Sequence, residues 1–141
     1  ASDVYKRQVW SVTSYTELAR EAQATERFNR LHPIEEAKTS YLEDLVAGLE
    51  GPFISSSDYD RAVSEQISPW IPGGLYALGT DGMGRSETRE SLRRHFEVDA
   101  ESIVIATLYK LSLQGKIPRK TVDDAIKNFA YDRDKIDPYF A

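Results

Sequence analysis

Residues 78–100 read LGTDGMGRSETRESLRRHFEVDA: an apolar run enters a glycine-rich turn and leaves it into a densely charged segment. Leu75 to Leu78 has the β-prone composition of a strand, and Gly79, Gly82 and Gly84 permit backbone paths closed to other residues. Ser86 stands where a side-chain oxygen can accept from the first free N–H groups of a following helix. Strand, loop and helix in succession make the unit of an α/β sheet.

Upstream, Val9, Trp10, Val12 and Thr13 form a β-prone run that predicts a first strand. Ser14 and Glu17 then match the Ser-x-x-Glu capping box, and Leu18, Ala19 and Ala22 give the helix an apolar face. His32-Pro33 ends it, because the residue before a proline is pushed out of the α region. A second capping box, Ser40 with Glu43, opens a shorter helix carrying Leu42, Leu45, Val46 and Leu49, before Gly48 and Gly51 break the pattern. Residues 52–55 predict the next strand. Asp58 is the expected cap of a helix bearing Ala62, Val63 and Ile67, and residues 69–74 turn into the strand at Leu75. Downstream, Asp99 is the expected cap of a helix with Ile105, Leu108 and Leu111 at helical spacing and Gly115 just past its end. Ile103, Val104, Ile105 and Ala106 taken alone fit a buried strand equally well. Pro118 suits a helix N1 position ahead of a Val122, Ile126, Phe129 stripe. Strands recurring between helices predict an α/β domain, a mainly parallel or mixed sheet of few strands flanked by helices.

A chain of 141 residues, 40% hydrophobic and 29% charged, fits one globular domain. Its formal charge of −5 argues against a nucleic-acid surface, which needs clustered cations in excess. Without cysteine there is neither a disulfide framework nor a thiolate metal site, and no apolar run nears the ~20 residues of a membrane span. A cytoplasmic protein without membrane or nucleic-acid partners is therefore expected. Residues 3–8, DVYKRQ, are what an in-frame translation of a transposase adapter end would give. Residues 1–8 are accordingly expected to be a non-native leader and 9–141 the domain proper; a native polar lead-in is the alternative.

The stretch at 78–100 resembles the C-terminal domain of the homodimeric, thiamine diphosphate-dependent first component of the pyruvate dehydrogenase complex, in the transketolase superfamily. VWSVTSYTELAR at 9–20, RLHP at 30–33, SSDY at 56–59 and DKIDPYFA at 134–141 resemble that family in the same order, so the likeness covers 9–141 almost continuously. Met83 departs from it, standing where the family's aromatic residue is expected. The resemblance implies a transketolase C-terminal-domain fold within a longer parent enzyme. That parent is an oxidoreductase that decarboxylates pyruvate with thiamine diphosphate and magnesium and reductively acetylates a lipoyl group. It further implies a homodimer, and contacts with the remaining domains of the parent and with the lipoyl-bearing acyltransferase of the complex. Because the family's cofactor lies between two preceding domains, no catalytic, cofactor-binding or metal-binding residue is expected here. The chain alone is expected to be inactive, with a structural or interface role.

The chemistry of the residues gives its own account. Gly82-x-Gly84 lacks the third glycine of a dinucleotide loop, position 87 being Glu87, and no Gly-Lys-Ser/Thr follows; Asp81 and Glu87 would repel an anion. The family's magnesium segment, Gly-Asp-Gly with an asparagine some thirty residues on, is matched only by Thr80-Asp81-Gly82, and the next asparagine is Asn128. A lone Asp81 cannot supply octahedral oxygen ligation. Arg85, Arg89 and Arg93 share one helix face and Glu90 pairs with Arg94 at i, i+4. Two readings of that face stand: a solvated surface, or an interface in which Asp81, Arg85 and Arg89 approach another domain, the partner subunit, the acyltransferase or the entrance to the active site. His95, among cations that favour its neutral form, reads as packed rather than as a general base. His32 has no second histidine at metal-ligand spacing, and no Gly-x-Ser-x-Gly elbow supports a hydrolase. Tyr15, Tyr41, Tyr59, Tyr76, Trp10 and Trp70 read as core and interface anchors. The alternative to an enzyme fragment is a stand-alone α/β interaction module, or a detached subunit of the same fold, without catalysis.

Overall fold

The computed structural model describes residues 7–80, 94, 96–135 and 137. Its centre is a βαβ unit: β1 (Phe53–Ser56), the short α3 (Arg61–Glu65) and β2 (Leu75–Leu78), the strands parallel with Phe53 opposite Leu75 and Ser56 opposite Leu78. Two helices precede it, α1 (Tyr15–Leu31) and α2 (Tyr41–Val46), and two follow, α4 (Ala100–Leu113) and α5 (Arg119–Asn128). This is a small α/β fold with a two-stranded parallel sheet between helices, as the alternating pattern predicts.

The helix ends show why these residues fold locally as they do. The Ser14 hydroxyl accepts from Glu17 N–H at 3.1 Å, while the Glu17 carboxylate turns to Arg20 at 2.6 Å. At Ser40 the capping box closes in both directions, Glu43 N–H reaching Ser40 Oγ and Ser40 N–H reaching Glu43 Oε1 at 3.0 Å. Past α4, Lys116 N–H bonds Leu111 C=O and Gly115 N–H bonds Ser112 C=O, with Gly115 at φ 75°, a Schellman motif. The same closure ends α5, where Tyr131 N–H bonds Ile126 C=O and Ala130 takes the left-handed position at φ 51°.

Packing resolves what periodicity leaves open. Ala19, Leu42, Val46, Ile67 and Ile71 form the buried cluster under α1, α2 and the turn into β2, with Phe53, Trp70 and Leu75 against it. Burying each large member contributes about 1.5–3 kcal/mol. Ile103, Val104, Ile105 and Ala106 are helical, because Asp99 caps the segment and α4 lies along β1. Ala106 is buried, as are Phe96, Val98 and Ala77.

Three expectations are corrected. Residues 9–13 do not form a strand: Val9 is 93% exposed, and among the described residues the sheet contains only β1 and β2, so no neighbour satisfies that backbone. Asp58 does not cap α3; it sits in the preceding turn, where its C=O accepts the Thr80 hydroxyl at 2.6 Å, and Asp60 occupies the cap position without a side-chain bond. Pro118 is the residue before the first turn of α5 rather than within it.

Candidate functional site

Ligands of parallel α/β sheets lie at the carboxyl ends of the strands, here the edge marked by Ser56 and Leu78. The chain is tightly held as it leaves β2. A Cβ at Gly79 would lie 2.6 Å from both Arg61 N and Tyr59 O, so only glycine fits against that backbone. Thr80 N–H then donates to Tyr59 C=O at 2.9 Å. The returning chain is held at the same edge, since Ser56 Oγ donates to Val98 C=O at 2.7 Å.

Around that return, Arg94 gathers groups from three segments. Its guanidinium donates to Asp99 Oδ2 at 3.1 Å and Phe129 C=O at 3.3 Å, pairs with Glu101, and lies 4.4 Å from the Tyr131 ring centroid. Lys135 Nζ donates to Arg94 C=O at 2.9 Å. Asp99 also accepts from Ser102 N–H at 3.0 Å and Ser102 Oγ at 2.5 Å. Because the single Ser102 proton goes to Asp99, the Tyr131 hydroxyl is the donor in its 2.9 Å contact with Ser102 Oγ. Burial works to raise the Asp99 pKa, but the Ser102 bonds and Arg94 outweigh it and hold the carboxyl below its ordinary value. Burial pushes the Tyr131 hydroxyl up to about 12, with Glu97 and Asp99 adding to the rise and the Ser102 bond opposing it. Every partner is already engaged, so the cluster is a brace joining residues 94–102 to 129–135.

A cleft of about 590 Å³ opens beside the brace, lined by Ser56, Ser57, Asp58, Asp99, Glu101 and Ile103 among others. Its polar groups serve the fold: Ser56 and Asp99 as described, Ser57 Oγ accepting from Tyr59 N–H at 3.0 Å. The carboxylates of Asp58, Asp99 and Glu101 give it the wrong sign for a diphosphate. Among the described residues there is no cluster of three or more His, Asp or Glu that could hold a metal ion. The residues present therefore do not fit a magnesium–diphosphate group. Ser55 Oγ donates to Ser64 Oγ at 2.9 Å, both buried, with no base in contact to activate either. His32 caps α1: its N–H and its Nδ1 both lie 2.9 Å from Phe28 C=O, and its ring stacks on Phe28 at 4.2 Å. The bond to a carbonyl places the ring proton on Nδ1.

Of the residues singled out in the sequence, Asp81, Arg85, Arg89 and His95 lie outside the described residues, as does Ser86. Asp99 is where its capping role predicts. The brace itself was not legible: Arg94 meets Phe129 and Lys135 across 35 and 41 positions, and no local pattern reports such contacts. The one available signal was the dense charge at 93–101.

A family profile described as a transketolase-like TK C-terminal domain matches residues 1–99. The chain belongs to this family. As a transketolase-like C-terminal domain it places β1, α3, β2 and the edge glycine within the matched residues, with α4 and α5 beyond them. Among curated relatives, the pyruvate dehydrogenase E1 component of Escherichia coli K12 is 46% identical over 134 residues, covering 94% of this chain and 15% of the relative. That of Pseudomonas aeruginosa is 47% identical over 131 residues, covering 92% and 15%, and that of Cupriavidus necator 44% over 144 residues, covering 98% and 16%. The chain thus spans about 15% of the length of these relatives.

Proposed function

We propose that this transketolase-like C-terminal domain is part of a pyruvate dehydrogenase E1 component, and that it serves the parent as a structural and interface domain rather than as the seat of its chemistry. The observation that carries this reading is 46% identity across 94% of the chain to a stretch amounting to 15% of such a component. The parent then decarboxylates pyruvate with thiamine diphosphate and magnesium, reductively acetylates a lipoyl group, works as a homodimer beside a lipoyl-bearing acyltransferase, and resides in the cytoplasm; no helix among the described residues is long and apolar enough to cross a membrane. The self-satisfied brace and the acidic cleft support a role in holding surfaces together rather than in binding a diphosphate.

The test is to read the genomic frame upstream through the codon for Val9 and to assay its product. A frame continuing into a long polypeptide with a Gly-Asp-Gly…Asn segment, whose purified product acetylates lipoyl groups from pyruvate, agrees with the proposal. Acetyl transfer by residues 9–141 alone, or a start codon immediately before Ala1, overturns it.

A further inference from the structure

Helix α4 has the composition of an interior helix and the surroundings of a surface one. Its sequence AESIVIATLYKLSL carries only Glu101 and Lys110 as charges, and a helix apolar on every side is normally covered on every side. Here only Ser102 and Ala106 are buried. Tyr109 is 43% exposed and Leu113 59%, while Val104, about half a turn round the helix from Leu113 at 100° per residue, is 42% exposed. The apolar surface continues onto the sheet: Tyr76 of β2 is 37% exposed and its ring lies 6.3 Å from that of Tyr109. Helix α5 covers part of α4 but has no buried residue of its own.

We propose that Tyr76, Tyr109 and Leu113, with Val104 across the helix, form an intramolecular seat covered by the preceding part of the parent polypeptide. The inference rests on the reading of the chain as the C-terminal part of a longer enzyme. Two observations favour this occupant over a second copy. Complete burial of Tyr76, Tyr109 and Leu113 removes on the order of 300 Å², far below the ~800 Å² per partner of a stable association between separate molecules. A surface on the same polypeptide is present at an effective concentration near millimolar, so a patch of this size suffices. Some 15% of the relatives' length is represented by this chain, which leaves ample polypeptide to cover it.

The test places the photo-crosslinker p-benzoylphenylalanine at Leu113, at Val104 and, as a control on the α1–α2 loop, at Ile34, which is 96% exposed. Each variant is made in the full-length polypeptide, and cross-linked peptides are mapped by mass spectrometry. The expected result is an intrachain cross-link from 113 and 104 to residues preceding this chain, at least tenfold stronger than from 34. Cross-links to residues 104–113 of a second copy, to a different protein, or none above the control overturn the inference. Lipoyl acetylation by the same preparations separates the two readings. An active enzyme without the intrachain cross-link removes the seat alone, and an inactive one with it removes the functional reading alone.

Discussion

Replacing Asp99 tests whether the brace stabilises the carboxyl end of the fold. Asp99 caps α4 through Ser102 N–H at 3.0 Å, accepts Ser102 Oγ at 2.5 Å and pairs with Arg94 at 3.1 Å. Asp99→Ala removes the cap, worth about 1 kcal/mol, and a charge-assisted hydrogen bond worth about 1.5 kcal/mol or more. Ser102 is 5% exposed, so its N–H loses its acceptor away from water, although its hydroxyl keeps Tyr131. The expected total is about 2–3 kcal/mol. Asp99→Asn keeps a good cap and loses only the charge, so about 1 kcal/mol is expected. The pH dependence supplies an independent check. Because the folded-state pKa of Asp99 is lowered, its contribution is fully present above the unfolded value near ~3.9 and is lost as the pH falls through the lower folded value. Urea unfolding followed by circular dichroism at pH 7, and then at steps from pH 5 to pH 2, measures both effects. Wild type should lose more stability than Asp99→Ala across the acid steps, so the two curves converge at low pH. A loss under about 0.5 kcal/mol at pH 7, or parallel curves down to pH 2, would refute the brace as a source of stability.

Gly79→Ala forces a Cβ to within 2.6 Å of two backbone atoms, and a cost of about 2 kcal/mol or more is expected, readable as a lower urea midpoint; an unchanged midpoint would show that the 58–61 turn yields freely. Ala130→Gly relieves a left-handed residue at φ 51° and is expected to stabilise by about 0.5–1 kcal/mol, left-handed alanine costing more than the added chain entropy of glycine. A lowered thermal midpoint in that variant would contradict the Schellman reading of the α5 terminus.

The features legible in the sequence are those decided within a few residues. The Ser40 and Glu43 box, the Asp99 cap, the His32-Pro33 stop, Gly115 after α4 and the strand at Leu75–Leu78 each depend on contacts three to six positions apart or on the β preference of a short run, and each appears where those spacings place it. The ordered likeness of short motifs along 9–141 carried the family for a related reason: it compares residue with residue and needs no folded contact. The candidate site was less legible. Asp81, Arg85, Arg89 and His95 were singled out from local charge, whereas the brace visible among the described residues is built from Arg94, Asp99, Tyr131 and Lys135.

Only the tertiary structure could settle the remainder. Val9 to Thr13 has β propensity, but a strand exists only if another strand takes its backbone hydrogen bonds, and none among the described residues does. Ile103 to Ala106 fits either state until α4 packs along β1. The closeness of Gly79 to Tyr59 and Arg61, the meeting of Arg94 with Phe129, and the uncovered side of α4 depend on where distant segments come to rest. Caps and turns are short-range agreements between neighbours; partners, burial and open faces are set by loop closure over tens of residues, which no local spacing encodes.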